Sequence, residues 1–239
     1  MIGRKRPAPP AADPWVDEGR RLAPLFGSTS AAVVLGHDPE AAARVALGIA
    51  RVVARERRVA IADLTGASPT LAALAGDAGA HGITDCFQRG VSLNDVARPA
   101  ADGTPSPFIL PRGSESTVPE EVLRSDRWRR LSAGFADAGA LLLLVAAAGT
   151  AGLAALVVQT DGVVSVGDVS IPLEWRVLAQ AGDGASVSVT AGAGPAHRQP
   201  DGGLVRSTSQ RGRIGSLPTA LCRAGASSGK CHPRPAAAP

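Results

Sequence analysis

The chain has 239 residues and a formal net charge of +4. It is 45% apolar yet only 3% aromatic, with no tyrosine, so any core must be built from Ala, Val and Leu. That length supports one large domain with tails. Arginines without an aromatic platform or a basic motif argue against dedicated nucleic-acid binding, and Cys86, Cys222 and Cys231 lack the spacing of a disulfide framework.

Residues 1–14 read as a disordered basic and Pro/Ala-rich arm. The arm has no apolar h-region, so a reducing, cytoplasmic setting is expected. Trp15 to Phe26 reads as a short lead-in helix anchored by Trp15, Leu22 and Leu25. AAVVLG, Ala31 to Gly36, is a strand of small and β-branched residues suited to a sheet centre. Asp38-Pro39-Glu40 is a helix start, with Asp as N-cap, Pro in the first helical position and Glu in the first turn. Ala42, Val45, Ala46, Ile49, Val52 and Val53 then repeat at helical spacing, with Arg44, Arg51, Arg55 and Arg58 opposite. Val59 to Ala62 is a second strand ending at Asp63. Strand, turn, helix and strand form a βαβ unit, the opening of a parallel α/β sheet.

Ser68 starts a short helix reaching Leu74. Two more short helices are expected near Ile83–Phe87 and Val91–Val96, the second capped by Ser92. Phe108-Ile109-Leu110 is a third strand, Glu120 to Phe135 a charged amphipathic helix carrying Trp128, Leu141 to Val145 a fourth strand, and Val163 to Val166 a fifth. Residues 15–180 make the domain and 181–239 a disordered tail. Within that tail, Cys222, Cys231 and His232 form at most a fragment of a metal site, and the unliganded reading is preferred.

Ala138 to Val158 carries no charge and reaches the length of about 20 residues that a spanning helix needs. Arg127, Arg129 and Arg130 would then hold its N-terminal side in the cytoplasm. The competing reading is a buried strand, a small-residue loop and a helix start, because buried parallel strands are near-continuously apolar. This second reading is preferred; the first leaves open a small membrane protein anchored by 138–158.

Six blocks carry a family resemblance. Asp63-Leu64-Thr65-Gly66-Ala67-Ser68-Pro69-Thr70-Leu71 resembles the D-A-D-L-R-R-P-T-L segment of bacterial tyrosine kinases of the capsular exopolysaccharide type. Gly82-Ile83-Thr84-Asp85 is similar to G-L-S-D and Ser92-Leu93-Asn94-Asp95-Val96 to S-L-E-D-V. Leu110-Pro111-Arg112-Gly113 resembles L-P-x-G. The run from Pro119 to Arg127 resembles P-x-E-L-L-x-S-E-R, and Asp161-Gly162-Val163 matches D-G-V. The resemblance implies an α/β fold of the P-loop NTPase type, a parallel sheet between two layers of helices, related to the partitioning ATPases; such domains continue with further helix and strand where residue 181 begins the tail here, so the sheet is expected to stop short on its C-terminal side. It also implies ATP and Mg²⁺ as the family's cofactors, and a membrane-embedded chain-length regulator of polysaccharide export as partner. Homo- or hetero-oligomers are compatible with it.

The catalytic groups depart from that pattern. Gly36, His37, Asp38, Pro39, Glu40, Ala41, Ala42 and Ala43 stand where the phosphate loop belongs. Neither the lysine that meets the β/γ-phosphates nor the hydroxyl that holds Mg²⁺ is among them. Thr65 replaces the second acid of D-x-D, Val145-Ala146-Ala147-Ala148 replaces the metal aspartate and its T-P-P, and the tyrosine cluster is missing. Asp63 is the one retained catalytic candidate, and the simpler reading makes it a cap on the following turn. His37, Arg112 and the Arg127/Arg129/Arg130 cluster read as solvated, and Trp128 as a core or interface anchor. The expectation is a non-catalytic P-loop-like protein of exopolysaccharide or capsule biosynthesis or export, with no cofactor and no metal site, cytoplasmic or at the inner face of the membrane. An active kinase or ATPase of the same family with relocated groups is the alternative.

Overall fold

A computed structural model describes residues 13–76, 81–101 and 106–182. Its helices and strands follow in chain order. Helix α1 (Pro14–Leu22) continues into a 3-10 turn, Ala23–Phe26, and strand β1 covers Ala31–Gly36. Helix α2 (Pro39–Val53), strand β2 (Val59–Asp63) and helix α3 (Pro69–Ala75) complete the first unit. Then come α4 (Ile83–Gln88), α5 (Leu93–Val96), β3 (Arg98–Pro99) and β4 (Phe108–Leu110). The rest is α6 (Glu120–Leu123), α7 (Arg127–Asp137), β5 (Leu141–Ala147), α8 (Leu153–Val157), β6 (Val163–Val166) and β7 (Val177–Ala181).

The strands form one seven-stranded sheet in the order β3-β4-β2-β5-β1-β6-β7. Every pairing is parallel except the short edge pair β3–β4. β1 lies between β5 and β6, with Val33 opposite both Leu144 and Val163. Because side chains alternate along a strand, the sheet has two apolar faces. Val34, Ile61, Leu143 and Val164 pack with α1, α2 and α3 on one side. Val33, Ala62, Leu142 and Leu144 pack with Trp128, Phe135, Leu153 and Ile83 on the other. This is a three-layer α/β fold of the P-loop NTPase type.

The charge-free run 138–158 is not one helix. It supplies central strand β5, a turn through Gly149 and Gly152, and the five-residue helix α8. No helix among the described residues is long and apolar enough to cross a membrane, so the reading of 138–158 as a span is corrected. Flanked by β1 and β2, β5 is buried on both faces, and nothing polar is needed along it.

Other details differ from expectation for identifiable reasons. The expected helix from Glu120 to Phe135 breaks between Leu123 and Arg127. The break lets the buried indole Nε1 of Trp128 donate to the Val122 carbonyl at 2.8 Å. Leu22 is buried and Trp15 packs against the core as expected, whereas Leu25 is 43% exposed and Val16 and Phe26 are the further anchors. Arg44 and Arg51 keep the half-exposed side of α2 as expected, but that side is narrow: Ala43, Leu47, Gly48 and Ala50 are buried too, because α1 packs across the helix. Nor does the sheet end with the fifth strand. β7 extends it, pairing in parallel with β6. The arm at 1–12 and residues 183–239, with Cys222, Cys231 and His232, lie outside the described residues.

Candidate functional site

In open parallel sheets ligands bind beyond the carboxyl ends of the strands. Here that edge carries Gly36, Asp63, Leu110, Ala147 and Val166. Only His37 and Asp38 separate β1 from α2. A phosphate loop encircles its anion with a longer glycine-rich turn. A Cβ on Gly36 would meet the Asp38 carbonyl at 3.1 Å and the Ala42 Cβ at 3.3 Å, so the chain itself fills that space. Ala41, Ala42 and Ala43 are buried in the core of α2, and His37 is exposed.

The two carboxylates that follow β1 are engaged by the chain itself. Asp38 caps α2, its Oδ1 accepting from the Glu40 amide at 2.9 Å. The Glu40 carboxylate accepts from Ser68 Oγ at 2.7 Å, from the Thr70 amide at 3.3 Å and from Thr70 Oγ1. Arg44 Nε closes the set with a bond to Glu40 Oε1 at 2.9 Å. Burial alone would raise the Glu40 pKa, but the hydroxyls of Thr70 and Ser68 and the Arg44 guanidinium outweigh it, holding the group below its ordinary value. A carboxylate of the chain therefore ties the start of α2 to the start of α3. Replacing Glu40 by alanine strands these donors and is expected to cost about 2 kcal/mol in urea unfolding. An unchanged midpoint would show that the cluster contributes nothing.

Asp63 sits at the end of β2, 5% exposed. Its Oδ1 accepts from the Thr65 amide at 2.9 Å, Thr65 Oγ1 at 2.7 Å and the Gly66 amide at 2.8 Å. Thr65 thus bonds Asp63 through both its amide and its hydroxyl. Arg112 departs from a solvated role. It lies half-buried after β4, with Nη1 donating to the Thr65 carbonyl at 2.9 Å and the guanidinium laid over Gly66. Arg127 is exposed over the Phe87 ring, and Trp128 is fully buried beside it.

Cys86 is buried, and that burial, with Asp85 adjacent, pushes its thiol up to about 12. This suits packing rather than nucleophilic chemistry. Among the described residues no group of His, Cys, Asp and Glu is placed to hold a metal ion. ATP with Mg²⁺, the pair that a P-loop fold implies, does not fit this donor set. The chain's lysines are Lys5 and Lys230, far in sequence from the turn after β1, which offers two carboxylates instead.

The fold is that of a P-loop NTPase-like α/β domain, and at this edge a two-residue turn stands between β1 and α2. No protein-family model matches the chain, and no curated protein matches it. Among solved structures it is similar to the kinase domain of VpsO, with a TM-score of 0.54 and 18% identity over 64% of this chain and 78% of that one. The kinase domain of the Escherichia coli tyrosine kinase ETK gives 0.53 and 16%, over 70% and 72% of the two chains. The chimerical protein CapA2B2 gives 0.53 and 13%, over 74% and 86%. The chain shares their fold.

The contact between Glu40 and Thr70, and the placement of Arg112, were not read from sequence. Both depend on where α3 and the segment after β4 come to rest. The one local signal was the hydroxyl pair Ser68 and Thr70 flanking Pro69 at a helix start.

Proposed function

We propose that this chain is a non-catalytic P-loop-like protein of exopolysaccharide or capsule biosynthesis. It works in the cytoplasm, or at the inner face of the membrane, by binding a partner, for which a membrane chain-length regulator of polysaccharide export is the first candidate. The six ordered sequence blocks and the shared fold with bacterial tyrosine kinase domains support the biological setting. The observation that carries the non-catalytic part is the β1–α2 turn. Its two residues leave no cradle, and Glu40 occupies the donors at the start of α3. Phosphoryl transfer depends on positioned cations around the migrating group, and each missing donor of this kind costs about 10²–10³ in rate. With lysine, hydroxyl and metal aspartate replaced together, the rate advantage is gone.

Calorimetric titration of the full chain with Mg-ATP is expected to show no saturable heat up to millimolar nucleotide. Micromolar affinity would overturn the non-catalytic reading. The partner is tested separately, by co-purification with the cytoplasmic segments of a chain-length regulator encoded nearby; failure to associate with any such segment counts against that assignment.

A further inference from the structure

A cleft of about 330 Å³ opens beyond the ends of β2 and β4, on the α3 side of the sheet. Leu71, Ala75 and Ile109 give it an apolar floor, and Asp63 and Arg112 supply its charges. It is distinct from the β1–α2 turn, though it shares Asp63 with the strand edge described above.

Arg112 is held from several directions. Its carbonyl accepts from the Thr84 amide at 3.0 Å and from Thr84 Oγ1 at 2.7 Å, while the Ile83 amide donates to Pro111 at 2.8 Å. Gly66 must be glycine for the guanidinium to lie where it does, since a Cβ there would sit 2.0 Å from Nη1. Among the described residues the guanidinium makes one hydrogen bond and no ion pair, and its Nε is buried without a partner. An arginine carries five N–H donors. This one is fixed in place with most of its donor capacity unused, the state that favours capture of an anion at low ordering cost.

We propose that the cleft binds a small organic monocarboxylate, with its carboxylate on Arg112 and its apolar body on Leu71, Ala75 and Ile109. The charge balance selects this class. Arg112 is the one cation among the lining residues and Asp63 offsets it, so the lining has no net positive charge. A phosphate dianion meets too much negative charge here, whereas a monoanion matches one guanidinium, and the apolar floor contributes only if the ligand has a hydrocarbon portion.

The full chain, labelled with ¹⁵N, is titrated with phenylacetate, inorganic phosphate and 2-phenylethanol in parallel. Saturable shifts of the Gly66 and Gly113 amides are expected with phenylacetate, with affinity at least about tenfold weaker for the other two probes. Arg112→Gln is expected to weaken phenylacetate binding by about tenfold or more. Because that change also removes the bond to Thr65, Ala72→Glu serves as a second variant. Ala72 is exposed where it lines the cleft, so a carboxylate there repels the probe while Arg112 stays intact, again by about tenfold. The proposal is overturned by absence of saturation at about 20 mM phenylacetate, by binding undiminished in both variants, or by tighter binding of phosphate. No nucleotide enters this titration, so its outcome stands apart from the Mg-ATP test.

Discussion

Replacing Gly48 by alanine is expected to destabilise the protein by about 2 kcal/mol, lowering Tm by about 6 °C, although alanine is the better helix former. On a free helix the exchange would gain about 1 kcal/mol. Here an added Cβ would stand 2.2 Å from the Val16 carbonyl and 2.9 Å from the Arg20 amide, both backbone atoms of α1. The contact is reciprocal, because a Cβ on Gly19 would lie 2.1 Å from the Val45 carbonyl. Neither helix can yield by rotating a side chain. The pair must separate, and α1 then loses the burial of Val16 and Leu22. Calorimetry of the two single variants and the double variant decides the matter. The double is expected to cost less than the sum of the singles, since once the helices are apart the second methyl meets less resistance. A rise in Tm for Gly48→Ala would show that propensity wins and that the close approach is not a constraint.

The same contact shows why sequence reading stopped where it did. The start of α2 was legible because its signals are local: Asp38, Pro39 and Glu40 act within one turn. The sheet was legible from apolar runs such as Ala31–Gly36 and Leu141–Val145, whose length and flanking turns separate a strand from a spanning helix once the glycines are weighed. The outer face of α2 was not, because Gly48 looks neutral until α1 is known to cross it. β7 escaped notice for a related reason. As a half-exposed edge strand containing Gln180, it shows neither a clean alternation nor a continuous apolar run.

The blocks that resemble the kinases serve structure in this chain. Asp161 Oδ2 accepts from the Ser30 and Ala31 amides, at 2.6 and 3.0 Å, and so joins the start of β1 to the turn before β6. Gly82-Ile83-Thr84-Asp85 and Pro111-Arg112-Gly113 are separate in sequence but form one lock. Gly82 must lack a side chain because a Cβ would sit 2.2 Å from the Pro111 carbonyl, and Gly113 turns at φ +115° directly against Thr84 and Asp85. These residues hold the edge of the sheet in shape whether or not anything is phosphorylated there.

Asp85 is the centre of that lock, and Asp85→Ala is expected to be the more damaging of these two substitutions, by about 3 kcal/mol or about 9 °C in Tm. Its side chain is fully buried. It accepts from the Gly82 amide at 2.7 Å and Ser114 Oγ at 3.1 Å, and pairs with Arg89 at 3.2 Å. Burial by itself would raise its pKa, but the bonds from Gly82 and Ser114, with Arg89 beside them, bring it below the ordinary aspartate value. A carboxylate whose folded pKa lies below its unfolded one stabilises the protein above the unfolded value, and that stability is lost as pH falls through the folded one. Glu40 behaves in the same sense. The gap in Tm between the natural chain and Asp85→Asn is therefore expected to be full near pH 7 and to narrow below about pH 4. A gap constant from neutral to acid pH would mean that the charge of Asp85 contributes nothing. Because Thr84 holds the Arg112 carbonyl, loosening this lock also shifts the backbone that carries the guanidinium. Asp85→Ala is accordingly expected to weaken phenylacetate binding at the cleft, an effect that a merely local loss of stability would not produce.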